Sequence, residues 1–202
     1  MRNSTGFLLV LALASFPGAA VAGGKYNIDP SHSNLQFAVK HMVISDVKGT
    51  FQDFSGTVVY DEEEIGNSSV RITIKTESLD TGNGDRDNHL RSPDFFDAGQ
   101  YPEITFHSEA IRESANGFVA AGTLTMHGVS KEIELPFEIL GKVTDPWGNT
   151  RIGIQSKYSM NRQDIGVSWS KTLHAGGLVV SNEVRIELNV EAILVKPKKT
   201  ED

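Results

Sequence analysis

Two stretches and one isolated histidine hold the side chains most capable of chemistry. The run Asp85 to Pro102, DRDNHLRSPDFFDAGQYP, sets Arg86, His89 and Arg91 among Asp87, Asp94 and Asp97. The run Asn161 to Gly177 holds Arg162 and Trp169. His41 ends an alternating segment that begins at Leu35. Guanidinium and imidazole groups donate strong hydrogen bonds to phosphate or quinone oxygens. Arg86, His89 and Arg162 are therefore candidate donors to the polar head of a ligand. The opposing reading is that the arginines pair with Asp87, Asp94 or Asp97 and pin the connection, and this is the preferred one for Arg91. His41 shares parity with Phe37 and Val39, so it is either a satisfied core histidine or a head-group donor. His32, in Pro30-Ser31-His32-Ser33, is expected to bond its local backbone, and His107 to face solvent.

Signals for catalysis and for metals are weak. The chain has no GxSxG elbow, no cysteine and no convergent carboxylate pair. Ser31 adjoins His32, but neighbours on a strand point to opposite faces. The six histidines show no HxH or HExxH spacing. No catalytic residue, metal site or cofactor is expected. The rival reading is an enzyme acting on a hydrophobic substrate through His41, His89 or Arg86.

The elements that must position these groups are strands. Period-two alternation marks Leu35-Phe37-Val39, then Phe51-Phe54-Gly56-Val58-Tyr60, with a change of parity near Asp53 that suggests a β-bulge. It continues through Val70-Ile72-Ile74, Ile104-Phe106 and Phe118-Ala120-Gly122-Leu124-Met126. Ile133-Leu135-Phe137-Ile139, Ile152-Ile154-Tyr158-Met160 and Val184-Ile186-Leu188-Val190-Ala192 complete the set. Eight strands with one apolar face suit an antiparallel barrel or sandwich, and closure removes exposed edges. Helix is scarce. Asp85 can cap a short turn through Leu90, and Ser92-Pro93-Asp94 opens a second short helix through Phe96. Phe95 and Phe96 are expected to plug one end of the barrel.

The 202 residues suit one domain. Arg2, the apolar run Phe7 to Phe16 and Ala20-Val21-Ala22 have the pattern of a secretory signal peptide over residues 1–22, with cleavage expected after Ala22. Residues 23–202 then form a single domain, expected in the periplasm, with secretion also permitted. The net formal charge of −7 and the lack of a basic stripe argue against nucleic acid.

Four motifs, in order, resemble the YceI-like family. They are Asp29-Pro30-Ser31-His32-Ser33 with Phe37, His41, Gly49-Thr50-Phe51 and Gly56; Arg86 to Asp97 with Tyr101-Pro102 and Phe106; Gly122 to Val129; and Asn161-Arg162-Gln163-Asp164-Ile165-Gly166. The resemblance runs roughly from Tyr26 to Val195. It implies an all-β, lipocalin-like, eight-stranded antiparallel barrel with short helices in the connection around residues 85–97. It also implies an exported protein that holds a polyisoprenoid, isoprenoid quinone or other long amphiphile inside the barrel, with a homodimer possible. Such a ligand needs a deep apolar cavity. The inferred inward positions that would line it are Phe37, Val39, Phe51, Phe54, Ile72, Ile74, Phe106, Phe118, Leu124, Met126, Phe137, Ile154 and Tyr158, with His41, Arg86 and His89 at its polar end. The bland reading of the same residues is a fully packed structural or stress-response barrel without a ligand.

Overall fold

The alternating segments become strands wherever they were expected, and they close on themselves. The computed structural model describes residues 23–173 and 176–196. The expected signal peptide and its cut after Ala22, and most of the C-terminal tail, lie outside the described residues. In chain order the elements are β1 (Gly24–Ile28), β2 (Asn34–His41), β3 (Ser45–Phe51), β4 (Phe54–Tyr60), β5 (Ser69–Lys75) and β6 (Leu79–Asp80). Then follow α1 (Gly84–Arg91), β7 (Glu103–Ser114), β8 (Gly117–Met126), β9 (Val129–Thr144), β10 (Thr150–Asn161) and β11 (Val180–Leu194).

Two pairs of these strands act as single broken strands. β1 and β2 both lie along β11, with Tyr26 opposite Leu194 and Phe37 opposite Ile186. β4 runs along β1 and β3 along β2. Gln52 and Asp53 interrupt the second pair, so Phe51 and Phe54 both turn inward although three positions separate them. Counted this way, and with the two-residue β6 set aside as an appendage of β3, the sheet is a closed eight-stranded antiparallel barrel, as the resemblance implied and as one of the two arrangements that the alternation allowed. The five-residue β1 is the strand that alternation misses. It is too short for a periodic signal, yet it completes the barrel by pairing with β11 and β4.

The antiparallel order sorts the connections. Residues 42–44, 76–102, 127–128, 162–173 and 176–179 gather at one end, the helical end; residues 61–68, 115–116 and 145–149 gather at the other. The cap of α1 is Asn83, not Asp85: its side chain accepts from the Arg86 N–H at 3.0 Å. That is the reach a cap needs to satisfy a first-turn donor. The second helix expected at Ser92–Phe96 does not form. Ser92 Oγ instead donates to the His89 carbonyl at 2.7 Å and finishes α1. A set of turns follows, with Asp97 left-handed at φ 45°.

The interior is layered. Tyr26, Val58, Ile152 and Ala192 pack at the end away from α1. Ile28, Leu35, Phe54, Ile72 and Val190 form one wall of the middle, and Ile104, Phe106, Ile111, Ala120, Leu124 and Ile133 the other. Phe95, Ile165 and Val167, all from connections, pack together at the helical end.

Candidate functional site

Between the two middle walls and the helical end lies an apolar cavity of about 170 Å³. Of the residues expected to line it, Phe37, Val39, Phe51, Ile72, Ile74, Phe106, Leu124, Met126 and Tyr158 do so. They come from six different strands, so the cavity is a property of the closed barrel rather than of one hairpin. Phe95 and Phe96 form its ceiling. Phe96 meets Phe51 edge-on at 6.1 Å, and Phe95 packs against Trp169 at 5.2 Å. Such aromatic contacts hold a lid in one place without making it covalent or rigid.

The remaining expected residues sit elsewhere, each for a physical reason. Phe54 is fully packed with Ile28, Leu35 and Val190, and Ile154 packs against that wall. Phe118 and Phe137 are cross-strand partners stacked on each other at 5.5 Å. Alternation assigns a face to a residue but not its height along the barrel axis. His41 is the last residue of β2, opposite Ser45 and Val180, at the rim and outside the cavity lining.

Arg86 and His89 are engaged within their own connection. Arg86 Nε donates to Thr81 Oγ1 at 2.7 Å and Nη2 to the Thr81 carbonyl at 2.9 Å. His89 Nε2 lies 2.8 Å from Asp94 Oδ2, with its ring edge-on to Phe95 and Trp169. Arg91 pins the connection as expected, but through the carbonyls of Glu77 and Leu79 rather than through a carboxylate.

Several lining residues were not singled out from sequence. Leu35, Ile104, Ile133, Leu135, Met160, Val184 and Leu188 belong to the same alternating faces, and the parity rule finds them when applied throughout. Leu90, Ile165 and Val167 come from a helix and a connection, where no such rule exists.

Among the described residues, Arg162 is the one cation on the cavity wall, and it is only 4% exposed. Its Nε donates to the Ser181 carbonyl at 3.0 Å, Nη1 to the Val167 carbonyl at 2.9 Å and Nη2 to Asn182 Oδ1 at 3.1 Å. Burial lowers the pKa of the guanidinium from its ordinary value. Asp164, two residues along, is exposed and bound by Lys131.

A different cluster brings metal-ligand chemistries together. Donor atoms of Asp29, His32 and Glu191 lie within 4.8 Å of one another. The Arg151 guanidinium already bridges two of them, at 2.9 Å to Asp29 and in contact with Glu191. It also holds Asp145 at 2.8 Å. His32 Nδ1 bonds Asp29 Oδ2 at 2.9 Å, a side-chain partner rather than the expected local backbone. With a guanidinium supplying the positive charge, the cluster reads as an ion-pair clamp joining β1's end, β10 and β11.

A profile of the YceI-like domain matches residues 26–192. The UPF0312 protein YE1254 of Yersinia enterocolitica is 32% identical over 198 residues, covering 97% of this chain and 100% of that protein. The chain belongs to the YceI-like family. Among solved structures, the YceI protein of Campylobacter jejuni superposes with a TM-score of 0.66 at 34% identity, over 78% of this chain and 90% of that one. A polyisoprenoid binding domain from Saccharophagus degradans superposes with a TM-score of 0.62, over 84% of this chain and 98% of that one. At 18% identity this second likeness is one of fold. The YceI-like barrel is thus shared along nearly its whole length.

Proposed function

We propose that this YceI-like protein binds the apolar chain of a long amphiphile inside its barrel, and that it serves as a carrier or reservoir in the periplasm rather than as an enzyme. The observation that carries the reading is the cavity, walled by side chains of Phe, Leu, Ile, Val and Met from strands on every side. The polyisoprenoid-binding name of the Saccharophagus neighbour supports the ligand class: a polyisoprenoid, an isoprenoid quinone or a fatty-acid-like lipid. Each methylene taken from water contributes about 0.8 kcal/mol, so chain length alone supplies affinity. A cavity near 150 Å³ takes a molecule the size of benzene. A long chain therefore requires the barrel to open. Its half-buried lining includes Phe37, Phe51, Phe96, Met126, Tyr158 and Met160, and methionine repacks readily. Loading therefore widens the barrel.

Native mass spectrometry of protein recovered from its own host, beside an organic extract of the same sample, tests this. A discrete added mass that matches an extracted lipid is expected. The same spectrum counts the copies per particle. An unliganded mass that persists after incubation with polyprenols, quinones and fatty acids would overturn the reading in favour of a packed barrel.

A further inference from the structure

We infer that Arg162 is an anion-binding subsite inside the cavity, receiving a carboxylate or phosphate at one end of the ligand chain. This rests on the cavity holding a lipid. A guanidinium carries five N–H donors. Arg162 spends one from each nitrogen on Ser181, Val167 and Asn182, which leaves one N–H on each terminal nitrogen uncommitted. All three acceptors are neutral, and among the described residues no carboxylate lies within ion-pair distance of it.

Arg162 directly follows the last residue of β10. Arg151, at the other end of β10, is enclosed by Asp29, Asp145 and Glu191. Arg162 is more deeply buried and has no such partner. A purely structural tie between the connection and β11 needs donors but not a charge, and a buried charge without a counter-ion is costly. No polar atom presents surface to the cavity, so the guanidinium lies just behind the apolar wall; its field falls on the cavity, and its two uncommitted N–H groups reach a ligand once the barrel widens. A ligand with an acidic end supplies the missing charge. Its head then lies beneath the Phe95–Trp169 lid, and its chain runs past Phe106 and Leu124 toward the middle of the barrel.

The test compares three probes of equal chain length: hexadecanoate, hexadecyl phosphate and the neutral hexadecanamide. Their affinities are measured by calorimetry with the wild-type protein, Arg162→Lys and Arg162→Met. The wild type is expected to favour both acids over the amide by about tenfold or more, the span of a charged hydrogen bond. Arg162→Met is expected to lose that preference, binding acids and amide with equal affinity, and Arg162→Lys to keep part of it. Equal loss for acids and amide would overturn the subsite and leave a structural tie. So would an acid preference that survives in Arg162→Met. Binding of none of the three by the wild type overturns the lipid reading itself.

A second readout needs no variant. The carboxyl of bound 1-¹³C-hexadecanoate, followed by NMR against pH, is expected to stay ionised to below its ordinary pKa because Arg162 faces it. Titration above that value would show an apolar pocket without a facing cation, and would also overturn the proposal.

Discussion

Phe37 and Gly49 face each other across β2 and β3, and the phenyl ring occupies the space that a side chain on Gly49 would need. A Cβ there would also lie 2.8 Å from Thr81 Cγ2, so it is hemmed in on both sides. The glycine is what lets Phe37 lie back against the wall. Gly49→Ala is expected to drive Phe37 into the cavity, costing about 1–3 kcal/mol as overpacking does. Binding of a long-chain probe should weaken as well. Urea denaturation and a ligand titration read the two effects, and a variant unchanged in both would show that the ring moves freely.

Leu124 separates cavity from core. Leu124→Ala is expected to lower stability by about 2–5 kcal/mol. Glu187→Ala, on the outward face of β11, should stay within about 0.5 kcal/mol of the wild type. Paired denaturation curves decide it. Equal effects would mean that the inward and outward faces have been exchanged.

The Arg151 clamp gives the protein an acid limit. Burial pushes the Asp145 carboxyl up, but hydrogen bonds from Arg151, Asn149 and the Trp147 N–H outweigh it and hold the group well below the carboxylate range. The His32 hydrogen bond lowers Asp29, burial opposes it, and Arg151 lowers it further; the net is downward. A folded pKa below the unfolded value of about 3.9 means stabilisation that is complete above that pH and lost as pH falls through the folded value. The melting temperature should therefore drop steeply below about pH 4. Asp145→Asn should lower it at neutral pH and flatten the acid limb. A wild-type melting temperature that is level from pH 6 to pH 3 would refute this.

The turn joining β2 to β3 is strained. Met42 and Val43 both have positive φ, 50° and 67°, a region that Asn and Gly enter easily and a β-branched residue does not. Val43 is exposed, so a smaller residue there removes no packing. Val43→Gly is expected to raise stability by about 1 kcal/mol through relief of that strain. A lower urea midpoint would show that the apolar tip is held by contacts worth more than the strain.

Export has its own test. The mature protein recovered from the periplasmic fraction should begin at Gly23. A chain found in the cytoplasm with an intact Met1 would remove the periplasmic reading.

Much of the barrel was legible because alternation is a geometric consequence of pleating, and strands buried on one face must show it. The irregularity at Gln52–Asp53 was readable for the same reason, since the parity itself changes, although it is a break between β3 and β4 and not a β-bulge. β1 was not, because five residues carry too few alternations. The cavity was half legible. Phe37, Leu124 and Tyr158 were found by parity, but parity put Phe118 and Phe137 in the same class although they stack on each other away from it. Arg86 and Arg162 looked alike in sequence. Only the path of the chain separates them: α1's first turn returns Arg86 to Thr81, whereas the end of β10 carries Arg162 under the lid.

The pairing of Tyr26 with Leu194 has a kinetic consequence. It joins the first strand to the last among the described residues, so it closes a loop that spans almost the whole barrel, and contacts so distant in sequence form late. Until β11 is present, β1 and β10 remain unsealed edges, and such edges invite pairing with other chains. The newborn protein therefore passes through a long open-sheet stage in which its survival depends on dilution, on chaperones, or on the speed with which its final fifteen-residue strand arrives.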